Sequence, residues 1–269
     1  MKSKIIVVVV LFATQPRRSE TVASLLRHCN ENFFLVFWDN SSSAIYEKQI
    51  KQIFPESSVY LSNGSNTKLS SVYNKIIHDY DGDAYMILDD DSLVPKNYFQ
   101  AIESFLDHDG DVLVPKIFNK GTMISPGYVK GVRGFNLNGE ASVIPRGAYL
   151  TAMMSGSTVK RHVFDTVLFD ERLSFYGIDT KFFIDVGRQA YKVKVSDHEI
   201  EHHSALRSLQ SDEQMVRRYR LLFKGKYFVF EHALFMKLRL RFYALLFATK
   251  LFIRTRKIKF LKLVFTSMQ

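Results

Sequence analysis

The chain has 269 residues, 46% hydrophobic and 14% aromatic, enough for one large domain with a sizeable core, and this excludes a disordered chain. Its single cysteine, Cys29, excludes an intramolecular disulfide framework and fits a reducing compartment. The net charge of +10 is uneven: from Arg217 onward fourteen Lys and Arg stand against Glu231 alone, a balance of +13, leaving the preceding 216 residues at −3. The basicity therefore belongs to the C-terminal stretch and not to the body, and net charge speaks for an anionic partner only over residues 217–266.

Short apolar runs alternate with helical patterns through the first half, the pattern of βαβ units feeding a parallel sheet. Lys4–Phe12 is β-branched through its centre and reads as a buried strand rather than a leader peptide. Further strands are expected at Phe33–Trp38, Ser58–Leu61, Ala84–Leu88 and Val112–Val114. Helices are expected at Arg17–Cys29, Ile45–Phe54, Thr67–Asp79 and Lys96–Asp107, the last opened by Pro95. Residues 118–147 hold six of the thirteen glycines with Pro126, Pro145, Asn136 and Asn138, and predict a long irregular loop of the kind that serves as a lid. Structure should resume at Ala148–Met154, with helices at Thr158–Asp165 and Ile178–Ala190 and a strand at Lys192–Glu201. No run reaches the roughly 18–20 apolar residues of a spanning helix. The chain divides at residue 210 into a body, 1–210, and a basic, aromatic, helical extension, 211–269.

In a parallel sheet with right-handed crossovers the carboxyl ends of the strands share one edge, where ligands bind. The first strand ends at Phe12, Ala13 and Thr14, the second at Asp39 and Asn40, the third at Asn63 and Gly64, and the fourth at Asp89, Asp90 and Asp91. Three consecutive aspartates after a hydrophobic strand repel one another, and a divalent cation would remove that cost. Mg2+ or Mn2+ takes one or two protein carboxylates while nucleotide phosphates fill other positions. A solvated turn or a helix N-terminus would also accommodate the triplet.

Several ordered segments resemble the family 2 glycosyltransferases, whose fold is called GT-A: IIVVVVLF at the start, FWDNSSS at 37–43, NGSNTKLSSVYNKII at 63–77 and MILDDDSLVPKNYF at 86–99. MMSGSTVKRHVF, FDERLSFYGIDTKFF and EIEHHS follow in the family's order, so the resemblance spans residues 4–204. It implies a Rossmann-like, mixed but mainly parallel sheet flanked by helices, and transfer of a sugar, with inversion and metal assistance, from a nucleoside-diphosphate sugar to a hydroxyl of a glycan or lipid-linked acceptor. Carried over, Phe12, Asp39, Asn63, Asn74, Asp89 and Asp90 would contact the donor, with Asp39 on the base and Asp89 near the ribose or metal. Asp91 would be the principal ligand of Mn2+ or Mg2+, and His202, of the His202–His203 pair, a further one. Asp179 would be the general base that takes the acceptor proton, with Asp170 and Glu171 ordering the acceptor side. An aspartate near a helix start is also a common cap, and histidines are often structural.

Beyond Arg217, Lys and Arg alternate with Phe, Leu, Tyr and Ile, as in MKLRLRFYALLF. Interfacial binding to anionic headgroups fits this composition and is the expected role, placing the protein in the cytoplasm on the inner face of the cell membrane. A packed helical subdomain and an RNA-binding surface are the competing explanations, though nucleic acid is not the expected partner. A nucleotidyltransferase, or another metal-dependent protein that binds nucleotide sugars, is the alternative function. The former usually needs a glycine-rich phosphate loop after the first strand, and FATQPRRSE has none. An aspartyl phosphatase would carry its acidic motif on the first strand, not the fourth.

Overall fold

The computed structural model describes residues 4–42, 45–56, 58–137, 144–202, 211–231 and 234–261. The first half alternates as expected: β1 (Ile5–Leu11), α1 (Glu20–His28), β2 (Phe33–Asp39), α2 (Glu47–Ile53), β3 (Ser58–Ser62), α3 (Leu69–Asp79), β4 (Ala84–Asp89), the two-residue β5 (Ser92–Leu93) and α4 (Lys96–Leu106). Then come β6 (Val112–Asn119), β7 (Thr122–Ser125), β8 (Gly127–Lys130), β9 (Arg133–Asn136), β10 (Tyr149–Thr151), β11 (Thr158–Lys160), α5 (Ile178–Arg188), β12 (Val193–His202), α6 (Asp212–Val229) and α7 (Leu234–Thr255).

The main sheet runs β3-β2-β1-β4-β11-β6-β12-β5. β3, β2, β1 and β4 are mutually parallel, β11 enters antiparallel to both neighbours, and β12 lies parallel to β6. Because β1 is covered on both faces, it reads as a continuous apolar run, yet its side chains still alternate. Ile6, Val8 and Val10 join one core with Trp38, Tyr85, α3 and α5, while Ile5, Val7, Val9 and Leu11 join another with Phe37, α1 and α4.

Two expectations change. Within 118–147 the described residues form antiparallel strands instead of an irregular loop: β6 continues to Asn119 and turns through Lys120 and Gly121, both at positive φ, into β7, while β8 pairs with β9 on one side and β10 on the other. Strands of four residues are too short to display a period, and the glycines that look like breakers serve pairing and turns: a Cβ on Gly127 would stand 2.4 Å from the Phe135 carbonyl, and Gly131 turns at φ +61°. Residues 138–143 lie outside the described set. The helix expected at Thr158–Asp165 is instead β11 followed by a single 3-10 turn, Arg161–Asp165. Thr158 and Val159 are β-branched and fully buried between β4 and β6, so sheet pairing overrides the helical spacing.

The extension packs on the body. Phe223, Val229 and Phe230 from α6 and its end, with Leu240 and Ala244 of α7, share the core that contains α3 and α5. Lys257 and Lys259 fold back onto Asp212 at the start of α6, the latter at 3.1 Å. Arg172 bridges Asp170 in the body to Glu231 beyond α6. Backbone meets backbone at Gly225, where a Cβ would stand 2.3 Å from the carbonyl oxygen of Tyr176. Gly225→Ala is therefore expected to destabilise the protein by about 1–3 kcal/mol through overpacking against backbone, read as a lower urea midpoint.

Candidate functional site

Four parallel strands and β12 deliver their carboxyl ends to one edge of the sheet. Asp39 ends β2 with no exposed surface, and both its oxygens are engaged: Oδ1 accepts from the Ser41 amide at 2.9 Å and Oδ2 from the Tyr60 hydroxyl at 2.5 Å. A buried carboxylate needs such partners. Burial and the carboxylate of Asp39 together push the Tyr60 phenol well up. Next to it, Asn40 accepts from the Thr67 amide at 2.7 Å and donates to Asn66 and the Thr67 carbonyl, so the Asn63–Thr67 turn is fastened to the end of β2. Asn63 lies exposed on that turn, its amide 3.4 Å from the Thr67 hydroxyl.

The acidic turn after β4 is held by its backbone. Ser19, which caps α1 by accepting from Val22, donates to the Asp90 carbonyl at 2.6 Å. Thr21 donates to the Asp89 carbonyl at 2.5 Å and accepts from the Ser92 amide at 3.0 Å. Ser155, between β10 and β11, accepts from the Asp89 amide at 3.1 Å and shares a hydrogen bond with Ser92 at 2.8 Å. These hydroxyls fix the backbone of the turn, and of them only Ser155 also acts on a carboxylate of the triplet, that of Asp89.

The three aspartates then diverge. Asp90 turns back, its Oδ2 accepting from the amide of Phe12, which is itself exposed at the end of β1. Asp89 and Asp91 converge with His202, the last residue of β12, and one ligand atom from each lies within 4.8 Å of the others. His202 is buried, with Nδ1 3.3 Å from Ser92 Oγ and 3.2 Å from Asp91 Oδ1. Asp91 Oδ1 is buried without a hydrogen-bond partner among the described residues. Burial, then the charges of Asp91 and Asp90, push the Asp89 carboxyl up to about 7. Burial likewise lifts Asp91 above the ordinary range, against the pull of His202. Two oxygens and an imidazole nitrogen, with one oxygen orphaned and both carboxylates crowded, form a donor set that fits a divalent cation such as Mg2+ or Mn2+. His203 lies outside the described residues.

Asp179 lies in the first turn of α5, preceded by Gly177 at φ +90°, and its Oδ2 accepts from the Met154 amide at 3.2 Å. Burial raises its carboxyl to about 7, and the charge of Asp89 adds to the shift. The buried Tyr73 of α3 feels both Asp89 and Asp179, and burial with those charges holds its phenol well above the ordinary value. Asp89, Asp179 and Tyr73 thus form one electrostatic cluster beside the convergence of Asp89, Asp91 and His202.

Asn74 does not join this cluster. Its amide donates to the Phe169 carbonyl and Glu171 Oε1, and its oxygen accepts from the Phe169 amide, tying α3 to the segment before α5. Asp170 pairs with Arg172, and Glu171 also accepts from Ser71. Ser19, Thr21, Ser92 and Ser155 went unidentified from the sequence. For Ser155 a signal existed, since it lies in the small-residue segment MMSGST; Thr21 and Ser92 meet across some seventy positions with no local pattern to mark them.

Residues 6–148, more than half of the chain, match the family described as Glycosyl transferase family 2. The chain belongs to that family. Its mixed, mainly parallel sheet flanked by helices is the GT-A fold. No curated protein compared with it matches. Among solved structures, GalNAc-T7 with UDP, GalNAc and Mn2+ superposes with a TM-score of 0.63 at 14% identity, covering 85% of this chain and 48% of that one. S. aureus TarS superposes at 0.52 and 15% identity, covering 82% of this chain and 39% of TarS. TarS 1–349 in complex with UDP-GlcNAc gives 0.54 at 15%, covering 82% and 66%. This family 2 chain thus spans about two fifths of TarS and about half of GalNAc-T7, and at such identities the likeness is one of fold.

The raised carboxyl of Asp179 yields a stability test with a defined sign. A carboxyl shifted from 3.8 to about 7 favours folding while it is protonated in both states, and that stability is lost as pH rises through this window. Asparagine can still accept from Met154 but cannot ionise. In metal-free buffer, Asp179→Asn is expected to melt above the wild type at about pH 8 and level with it near pH 4, as followed by circular dichroism.

Proposed function

We propose that this family 2 chain transfers a sugar, with inversion, from a nucleoside-diphosphate sugar to a hydroxyl of a glycan or lipid-linked acceptor, and that it works at the inner surface of a membrane. The observation that carries the proposal is the convergence of Asp89, Asp91 and His202 beside a separate carboxyl, Asp179, whose affinity for protons suits a base near neutral pH. UDP and UDP-GlcNAc in the neighbouring structures make uridine nucleotides the first donors to try.

In this scheme Asp39, fixed by Tyr60 and Ser41, meets the base at the end of β2, with Asn63 and Phe12 at the mouth of the same edge. Asp89 turns toward the ribose or the cation. Asp90 shapes the pocket floor through the Phe12 amide. Asp91 and His202 hold the divalent ion, which when bound neutralises charge growing on the leaving diphosphate. Asn74 acts at one remove, by setting the segment that leads to α5. Asp179 accepts the proton from the acceptor hydroxyl as its oxygen attacks the anomeric carbon. The dry surroundings, and to a lesser degree the neighbouring Asp89 charge, keep Asp179 basic enough for this.

Two substitutions separate these roles. Asp91→Asn should remove the Mn2+ dependence of nucleoside-diphosphate binding in calorimetry, and wild-type affinity with Mn2+ would take Asp91 out of the metal site. Asp179→Asn should leave donor affinity within a few-fold while lowering turnover by ~10²–10⁴. Undiminished transfer would move the base elsewhere, first to Asp170 or Glu171.

A further inference from the structure

α7 is apolar on two faces at once. At 3.6 residues per turn, Leu240, Ala244 and Ala248 fall on one arc and are buried, Leu240 and Ala244 in the core shared with the body. Phe235, Leu238, Phe242, Leu245, Leu246 and Ile253 fall on the opposite arc, spaced by three, four or seven positions except for the adjacent 245–246 pair, and all are exposed, Phe235 and Phe242 by 68% and 63%. Basic side chains border this outer arc: Arg241 on one side, Arg239 and Lys250 on the other, all exposed. The helix carries no acidic residue.

A second segment extends that border. The turn between β8 and β9 lies against α7, with the Arg239 guanidinium 3.6 Å from where a Cβ on Gly131 would stand, and Lys226 of α6 donates to the Val132 carbonyl at 3.0 Å. Lys130 and Arg133 on either side of this turn are exposed, so the Arg239 edge is widened by cations from a part of the chain about a hundred residues away.

We propose that this outer face of α7, with the β8–β9 turn at its edge, is the surface by which the protein lies on an anionic lipid bilayer, the six apolar side chains entering the acyl boundary and the basic borders meeting headgroup phosphates. The proposal rests on the membrane-surface part of the function given above and names the surface. An aliphatic and aromatic strip flanked on both sides by cations matches the layered chemistry of an interface, apolar below and anionic above. No helix among the described residues is long and apolar enough to cross a membrane, so the helix lies in the plane. A symmetric pair of α7 helices would bring basic borders together, and a nucleic acid would leave Leu238, Leu245, Leu246 and Ile253 in water.

Sedimentation of the full-length protein with phosphatidylcholine vesicles, with and without phosphatidylglycerol, tests this. Wild type should partition onto the anionic vesicles, and Phe242→Ser/Leu246→Ser should lower that partition by about tenfold or more with unchanged melting and nucleotide binding. In Phe242→Trp, the new indole should be quenched by lipids brominated on the acyl chain, while the native Trp38, buried in the body, is not. No vesicle binding by the wild type, equal binding by the double variant, or an unquenched indole would overturn the proposal. So would self-association of the wild type that the double variant loses, which would give the face to a second copy of the chain. Vesicle binding as expected, in a protein that turns over no nucleotide sugar, would sink the transfer function and leave this surface standing.

Discussion

Everything at the active edge depends on keeping several carboxylates close together where water is scarce. Asp89, Asp91 and Asp179 each bind protons more tightly than a free carboxyl, mainly because of burial. Left to relax, such groups would swing apart or recruit donors. The hydroxyls of Ser19, Thr21, Ser92 and Ser155 bond the backbone of the acidic turn and one another, and only Ser155 also eases the Asp89 carboxylate, by less than burial and the neighbouring charges raise it. The backbone of the turn is held at several points, while Asp91 Oδ1, 3.2 Å from His202 Nδ1, has no hydrogen-bond partner among the described residues. Frustration of this kind is stable only because β4 lies at the centre of a sheet with a core on each face.

The contrast with Asp39 is instructive. It too is a buried carboxylate at a strand end, yet both its oxygens are satisfied by Ser41 and Tyr60. One carboxylate is therefore satisfied within the protein, while Asp89 and Asp91 with His202 form an unfinished shell suited to a cation. Division of labour along a single sheet edge arises from which neighbours supply hydrogens, not from the residue type.

Much of this was legible beforehand. Strand-end aspartates could be found because hydrophobic runs locate β1, β2 and β4, and parallel topology sends their ends to one edge. His202 was findable for the same reason, as the end of β12. The hydroxyl network was not, since Thr21 and Ser92 are brought together only by the packing of α1 against the β4 edge. The three-stranded unit of β8, β9 and β10 also escaped, because its strands have three or four residues and its glycines read as loop. β11 was mistaken for helix because three residues squeezed between two strands carry no period of their own. In the extension, α7 carries apolar arcs on two opposite faces, one buried and one exposed, and two such arcs cancel when read along the sequence.

The contact at Gly225 makes α6 a splint for the turn that opens α5. Tyr176 precedes Gly177, the residue from which α5 starts, and Asp179 follows two positions later, so the carbonyl pressed by Gly225 belongs to the same rigid bend as the proposed base. A force on the extension is thus transmitted by backbone contact to within a few residues of Asp179. Exchanging residues 211–269 for those of a relative would disturb the bend before α5 along with the extension, unless the incoming helix also offered a bare Cα at that one position.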